Sequence, residues 1–366
     1  MAATNFFSLD LRRAASATTA GITLSIATVA ALWWSGLSPV TYRSVVASTS
    51  PFILTGLMTF FFLVIGLDLG HELSDGFLRD ARQSLPALSA AVGGMLATAG
   101  CALLIGHLGE LPALERGWGV PMATDIAFAL AALSLSGAIG RNLRHFVLVL
   151  AVADDIGSVL VLAFSGHHLL RGWWVAAAIG GGMTVVLVRR HVPLVAWVAV
   201  LVALWVCFFR AGIDAPLSAV LVGMCIPAAQ RVSAARAFRI LTAGVNLVVL
   251  PLFALVATGV IWTSLSRSPQ GVAVAMGLAI ARIAGKVIGI AAGAIVASRV
   301  TGVSRPSLAQ LLPVGLVCAM GVTVPLIFAH QVYGDSSTYA VTTATLLGVT
   351  VLSGATGVVL LRRLNR

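Results

Sequence analysis

The chain is 366 residues long, 59% hydrophobic and only 10% charged, with a formal net charge of +11 and a mean hydropathy of +1.02. Soluble globular proteins carry about 25% charged residues, so this composition excludes a soluble globule and points to a polytopic membrane protein. The basic residues are spread over the ends of apolar runs and do not gather into one footprint, so the expected partner is the lipid bilayer and no nucleic acid.

In chain order, apolar runs of the length needed to cross a bilayer, about 17–25 residues, fall near 15–35, 51–73, 86–108, 119–139, 144–166, 171–188, 192–209, 213–229, 240–262, 271–297, 308–330 and 338–361. They predict an all-α polytopic fold of about 12 transmembrane helices. Alternating the loops puts sixteen arginines on one side (12, 13, 79, 82, 141, 144, 189, 190, 231, 236, 239, 299, 305, 362, 363 and 366) and five on the other (43, 116, 171, 210 and 267). That bias places both termini in the cytoplasm. The first run is long and lacks a small-residue cleavage site, so it reads as a permanent helix and not as a signal peptide. With no linker or charge block, residues 1–366 read as a single transmembrane domain. Cys101, Cys207, Cys225 and Cys318 lie in apolar runs without CxxC spacing and read as small core hydrophobes, not as metal ligands or disulfides.

The first chemically informative stretch is "IGLDLGHELSDGFLRDAR", at the end of the second run. Asp68, Glu72 and Asp75 share one helical face there, beside His71. Such a face either lines a cation-collecting, pH-sensing funnel or is a solvated helix end paired with Arg79 and Arg82. Next, in "GWGVPMATDIAFALAALSLSG", Pro121 lies four residues before Asp125. Proline removes a backbone hydrogen bond and clashes with the preceding turn, so this span is expected to be broken near Thr124 and Asp125.

"LAVADDIGSVLVLAF" then places Asp154 and Asp155 side by side in an apolar run. An aspartate at the centre of a membrane helix costs about 2.5–3.5 kcal/mol, the pair roughly 5–7 kcal/mol. The only lysine, Lys286, lies mid-span in "GLAIARIAGKVIGIAAGAIVA" with Arg282 one turn before it. It is 11–15 residues from either end of its run, roughly 16 Å or more at 1.5 Å per residue. That is a long way for an ammonium to snorkel. In low dielectric a lone carboxylate and a lone lysine both favour their neutral forms, whereas together they satisfy one another. One aspartate paired with Lys286 leaves the other to bind a proton or a cation. A purely structural ion pair with Lys286 or Arg282 is the alternative, and it would leave the second aspartate without a partner.

The second expected break is "LLPVGLVCAMGVTVPLIF", with Pro313, Gly315, Gly321 and Pro325. The two breaks fall in the middle helices of two triplets, 86–166 and 271–361, which alternation makes opposite in orientation. Paired interrupted helices in inverted repeats point to a transporter site at the bilayer midplane. Ordinary proline kinks are the competing explanation. The expected architecture is thus helices 3–5 and 10–12 as inverted repeats with helices 4 and 11 broken and crossing. The core is 86–166 and 271–361, with panel helices at 15–73 and 171–262. A small hard cation takes oxygen ligands, which carboxylates, the Thr124 hydroxyl and carbonyls freed at unwound helices would supply. Cation and proton competing for one carboxylate, with access alternating between sides, is antiport.

The segments "GWGVPMATDIAFAL", "LAVADDIGSVLVLAF", "AGIDAPLSAVLVGMCIP", "LPLFALVATGV" and "IAGKVIGI" resemble the NhaA-type sodium/proton antiporters, from about Phe60 to the C-terminus. The resemblance implies a bacterial inner-membrane secondary transporter, not an enzyme, with no cofactor and with sodium and protons as cargo. It implies Asp155 as the main cation- and proton-binding carboxylate, holding sodium with Asp154 and Thr124, and Asp154 able to pair with Lys286. Asp125 would offset helix-end dipoles where the unwound helices cross. Exchange would be electrogenic, with lithium as a second substrate. A homodimer is also part of the family pattern, but Ser35–Pro51 is short and lacks the strand-turn-strand that helps join protomers. Other departures are Phe238 where an acidic residue is common, Asp214 where a histidine is found, and Arg282 where an apolar residue is usual. They bear on pH activation and on the charge state of Lys286 or the pairing of Asp154. A sodium-coupled symporter of an organic anion is the nearest alternative. An intramembrane aspartyl protease would want its carboxylates on two helices, and the only Gly-Asp here is Gly334-Asp335.

Overall fold

The computed structural model of the chain describes residues 2–74, 81–137, 141–164, 180, 193–211, 214–260, 268–334 and 336–364. Among these residues there is no strand. The helices are α1 (Ala2–Leu37), α2 (Pro39–Pro51), α3 (Met58–Ser74), α4 (Ala81–Leu108), α5 (Pro112–Arg116), α6 (Ile126–Leu135), α7 (Arg141–Phe164), α8 (Leu194–Ala211), α9 (Leu217–Cys225), α10 (Ala228–Ser233), α11 (Ala235–Gly244), α12 (Leu250–Ala257), α13 (Pro269–Thr301), α14 (Leu308–Cys318), α15 (Thr323–Tyr333) and α16 (Ser337–Leu364).

Seven helical stretches among the described residues are long and apolar enough to cross a membrane, up to eight when the pair α14–α15, bent by 52°, is taken as one span. The chain is therefore a multi-pass membrane protein. The seven are Thr19–Leu37, Pro39–His71, Ser84–Leu108, Asn142–Leu162, Ala235–Ala257, Pro269–Thr301 and Ser337–Leu364. The other expected runs differ for local reasons. Residues 119–125 are not helical, so the run 119–139 contributes only the ten residues of α6. The run 192–209 forms the short apolar helix α8, and 213–229 is divided between α9 and α10. The run 171–188 lies outside the described residues except for position 180. The second span begins earlier than its apolar run suggests. Pro39 starts a helix, and Pro51 sits inside it against a π-helical turn, Phe52–Leu57, a geometry that absorbs its missing donor.

The helix ends follow their sequence signals. Ser268 accepts a hydrogen bond from Gly271 N with Pro269 at the first helical position, and Gly302, at φ +70°, ends α13 in the left-handed conformation. Ser307 and Gln310 form a reciprocal capping box at the start of α14.

The molecule buries charge and exposes hydrocarbon, as a lipid solvent demands. On α13, Ile288 and Val300 are 63% and 80% exposed, while Arg282 and Lys286 are 0% exposed. The buried side of α13 lies on α4 along small residues. A methyl at Gly289 would overlap the carbonyl oxygen of Gly93, and one at Gly285 would come within 2.6 Å of Thr98 Cα. Backbone therefore meets backbone, and Lys286, between these glycines in sequence, is carried into the interior. Helix α13 also packs on α14 and α16, and α4 packs on α7.

Candidate functional site

Helix α7 brings two carboxylates to the centre of this packing. Asp154 is fully buried, and Lys286 Nζ on α13 donates to both of its oxygens, at 2.6 and 2.7 Å. Asp155 is 7% exposed, and its Oδ1 is buried with no hydrogen-bond partner among the described residues. Adjacent residues on a helix point about 100° apart, which lets one aspartate face α13 while its neighbour faces elsewhere.

The interrupted chain before α6 meets the bend between α14 and α15. Asp125 stands at the N-cap position of α6 in an extended conformation, yet its side chain makes no cap for that helix. It caps α15 instead. Its Oδ2 accepts from Val322 N at 2.6 Å and Thr323 N at 3.0 Å, and its Oδ1 accepts a short hydrogen bond from the Thr323 hydroxyl. A carboxylate at the positive end of a helix is the favourable arrangement. The Asp125 backbone N donates to Met320 O at 3.2 Å, and the Thr124 hydroxyl donates to Cys318 O at 2.6 Å. Thr350 of α16 holds Gly321 from behind, accepting from its N at 3.2 Å.

Arg282 supplies the opposite charge. Its Nε donates to Ala319 O at 2.7 Å, Nη2 to Ala123 O at 2.8 Å and Gly321 O at 3.2 Å, and Nη1 to Val120 O at 3.5 Å. These carbonyls are freed where the two segments depart from helix. A planar fork reaches several at once. Arg282 therefore does not take over the pairing of Asp154, one of the two roles its position one turn before Lys286 suggested. Its donors are committed to carbonyls of both segments.

The structure thus gathers Thr124, Asp125, Asp154, Asp155, Arg282 and Lys286 from α7, α13 and the segment before α6, with backbone groups of the bend between α14 and α15 completing the site. Asp68, exposed, and Glu72 lie on α3, a separate element, and Asp75 lies outside the described residues. Among the departures, Phe238 is half-buried on α11 against the core, and Asp214, before α9, stands within electrostatic reach of His330 on α15. Sequence reasoning missed Thr323 and Thr350. Nothing in their local pattern separates them from other threonines in apolar helices, because their partners lie at breaks far away in the chain.

A multi-pass membrane protein that buries three carboxylates and two cations around non-helical segments belongs to the class of ion-handling membrane proteins. The sequence profile of the Na+/H+ antiporter 1 family matches residues 12–361, and the chain belongs to that family. Similar proteins include the Na(+)/H(+) antiporter NhaA 2 of Frankia alni, 32% identical over 94% of this chain and 76% of the relative. The Na(+)/H(+) antiporter NhaA of an Anaeromyxobacter species is 34% identical over 84% of this chain and 77% of its own length. The NhaA 2 protein of Novosphingobium aromaticivorans is 36% identical over 85% and 82%. Family membership makes the chain a transporter.

Proposed function

We propose that this chain exports sodium in exchange for protons across the bacterial inner membrane, cation and proton competing for Asp155 with access alternating between the two sides. The carrying observation is the inequality of two adjacent aspartates. Asp154 is occupied by Lys286, while the buried Oδ1 of Asp155 has no partner among the described residues. With every group ionised, the three carboxylates of the site exceed its two cations by one charge. One sodium ion or one proton cancels that excess, so the two exclude each other.

In this reading sodium lies at Asp155 with Asp154 and Thr124 beside it. The Thr124 hydroxyl uses its proton on Cys318 O, which leaves its lone pairs for a cation. Asp125 and Arg282 compensate the helix ends and keep the crossing intact while the central charge changes. Electrogenic exchange would draw its further proton from the Asp154–Lys286 pair when that pair opens. Lithium, another small hard cation, is a second substrate. The proposed architecture is twelve spans, with helices 3–5 and 10–12 as inverted repeats, helices 4 and 11 broken and crossing, a core at 86–166 and 271–361, and both termini cytoplasmic. Asp68, Glu72 and Asp75 would collect cations at the cytoplasmic side. The similarity to sodium/proton antiporters supports this exchange.

The test is recovery of a pH-sensitive dye in inside-out vesicles containing the purified protein, on adding sodium, lithium and then potassium. Recovery with sodium and lithium but not potassium is the expected result. Flux that ignores the proton gradient, or that requires an organic anion, would overturn the proposal.

A further inference from the structure

Buried hydroxyls in this protein usually donate to a carbonyl three or four residues earlier on their own helix, as Thr98, Ser136, Thr258 and Thr343 do. Ser158 does not. It is 3% exposed, and its Oγ is buried with no hydrogen-bond partner among the described residues. It follows Asp155 by three residues and Asp154 by four on α7. At 3.6 residues per turn it lies one turn on, at an angle between the two carboxylates. Helical side chains lean toward the N-terminus, so its hydroxyl leans back toward them.

Two neighbouring buried oxygens, Ser158 Oγ and Asp155 Oδ1, therefore lack partners in the same part of the interior. A buried polar atom without a partner is costly, and its presence asks for a ligand that arrives from outside. Asp154 is already occupied by Lys286. Of the two intervening residues, Gly157 lies against Met95 of α4, where a methyl would overlap the thioether. Apolar packing thus closes one side of this turn and leaves the oxygens on the other. Hard cations bond oxygen at about 2.0–2.6 Å, the range from magnesium to calcium. Two ligands of one ion then stand within about 5 Å of each other, a separation that side chains one turn apart reach.

We propose that Ser158 is a direct ligand of the transported cation, sharing it with Asp155 and setting the affinity of the site. The inference rests on the antiport reading. A hydroxyl serves both states of the cycle, turning its lone pairs to a cation or its O–H to an empty carboxylate.

The experiment measures sodium-driven proton flux in proteoliposomes at one fixed pH, for wild type, Ser158→Ala, Ser158→Cys and Asp155→Asn, beside the thermal midpoint of each protein in detergent. Sulfur is a poor ligand for a hard cation, so both Ser158 variants are expected to raise the KM for sodium roughly three- to tenfold with little change in Vmax. The thermal midpoint of Ser158→Ala should be unchanged or raised, because its hydroxyl has no bond to lose. A KM equal to wild type in either Ser158 variant would overturn the proposal, as would a lowered midpoint with KM unchanged. Absence of flux in wild type, or full flux in Asp155→Asn, would instead remove the antiport reading on which it rests.

Discussion

At the scale of the residue, what matters is which buried charge already has a partner. Asp154 and Lys286 hold each other at 2.6–2.7 Å with no solvent exposure. Removing one member of such a pair leaves an uncompensated buried charge and costs about 3–5 kcal/mol. Asp154→Asn or Lys286→Ala should therefore lower the thermal midpoint of the detergent-solubilised protein clearly. The double change Asp154→Asn with Lys286→Met should recover much of the loss. Additive losses in the double variant would show that the pair is not the unit of stability. Arg282 makes a second residue-scale prediction. A lysine keeps the charge but has one nitrogen where the guanidinium spans carbonyls of both interrupted segments. Thermal stability should fall in the order wild type, Arg282→Lys, Arg282→Met; equal stability of the lysine and wild-type proteins would count against a bridging role.

These residues were unequally legible in the sequence. Asp154, Asp155 and Lys286 stand out because a charge in the middle of an apolar run is expensive and has few bland explanations. Arg282 stands out for the same reason, but its partners do not. They are carbonyls of Val120, Ala123, Ala319 and Gly321, freed by breaks whose meeting is a tertiary fact. Ser158 is a serine in a helix, ordinary until its missing hydrogen bond is seen.

At the scale of the element, two devices position the site. One is the seam between α4 and α13, where glycines let backbones touch and carry Lys286 inward. Gly289→Val should prevent accumulation of folded protein in the membrane, since the added carbons meet the backbone of Gly93. Gly100→Val on α4, the helix that carries Gly93, where an added carbon meets nothing within 4 Å among the described residues, should be tolerated. The comparison is read from the yield of monodisperse protein after solubilisation, and equal yields would contradict the seam. The other device is the exchange of caps between broken segments, with Asp125 serving α15 and Arg282 serving the carbonyls. Pro121 and the glycines announce the non-helical segments in sequence, but how much helix is lost depends on the hydrogen bonds the two segments make with each other. Residues 119–125 stay unwound because Thr124 and Asp125 find their hydrogen-bond partners in the other segment.

At the scale of the whole molecule, lipid-facing apolar side chains surround a small charged interior, and composition alone carries that inversion. The count of crossing helices is less legible. An apolar run such as 119–139 has the composition of a span whether or not its backbone is continuous. The proposed competition at one carboxylate would fix the pH dependence. Protons displace sodium at low pH, so the KM for sodium should fall as pH rises, by up to about tenfold per unit while the carboxyl is mostly protonated. Vmax-limited flux with a KM independent of pH would exclude competition. With the apolar Phe238 on α11 in place of an acidic side chain, activity should rise gradually with pH; a rise completed within about one unit would contradict that.

The most direct test of the central claim is sodium-induced recovery of a pH-gradient dye in inside-out membrane vesicles, wild type beside Asp155→Asn, with insertion of both proteins verified. The expected result is recovery with sodium and not with potassium in the wild type, and none in the variant. Full recovery in Asp155→Asn would show that the competing carboxylate lies elsewhere.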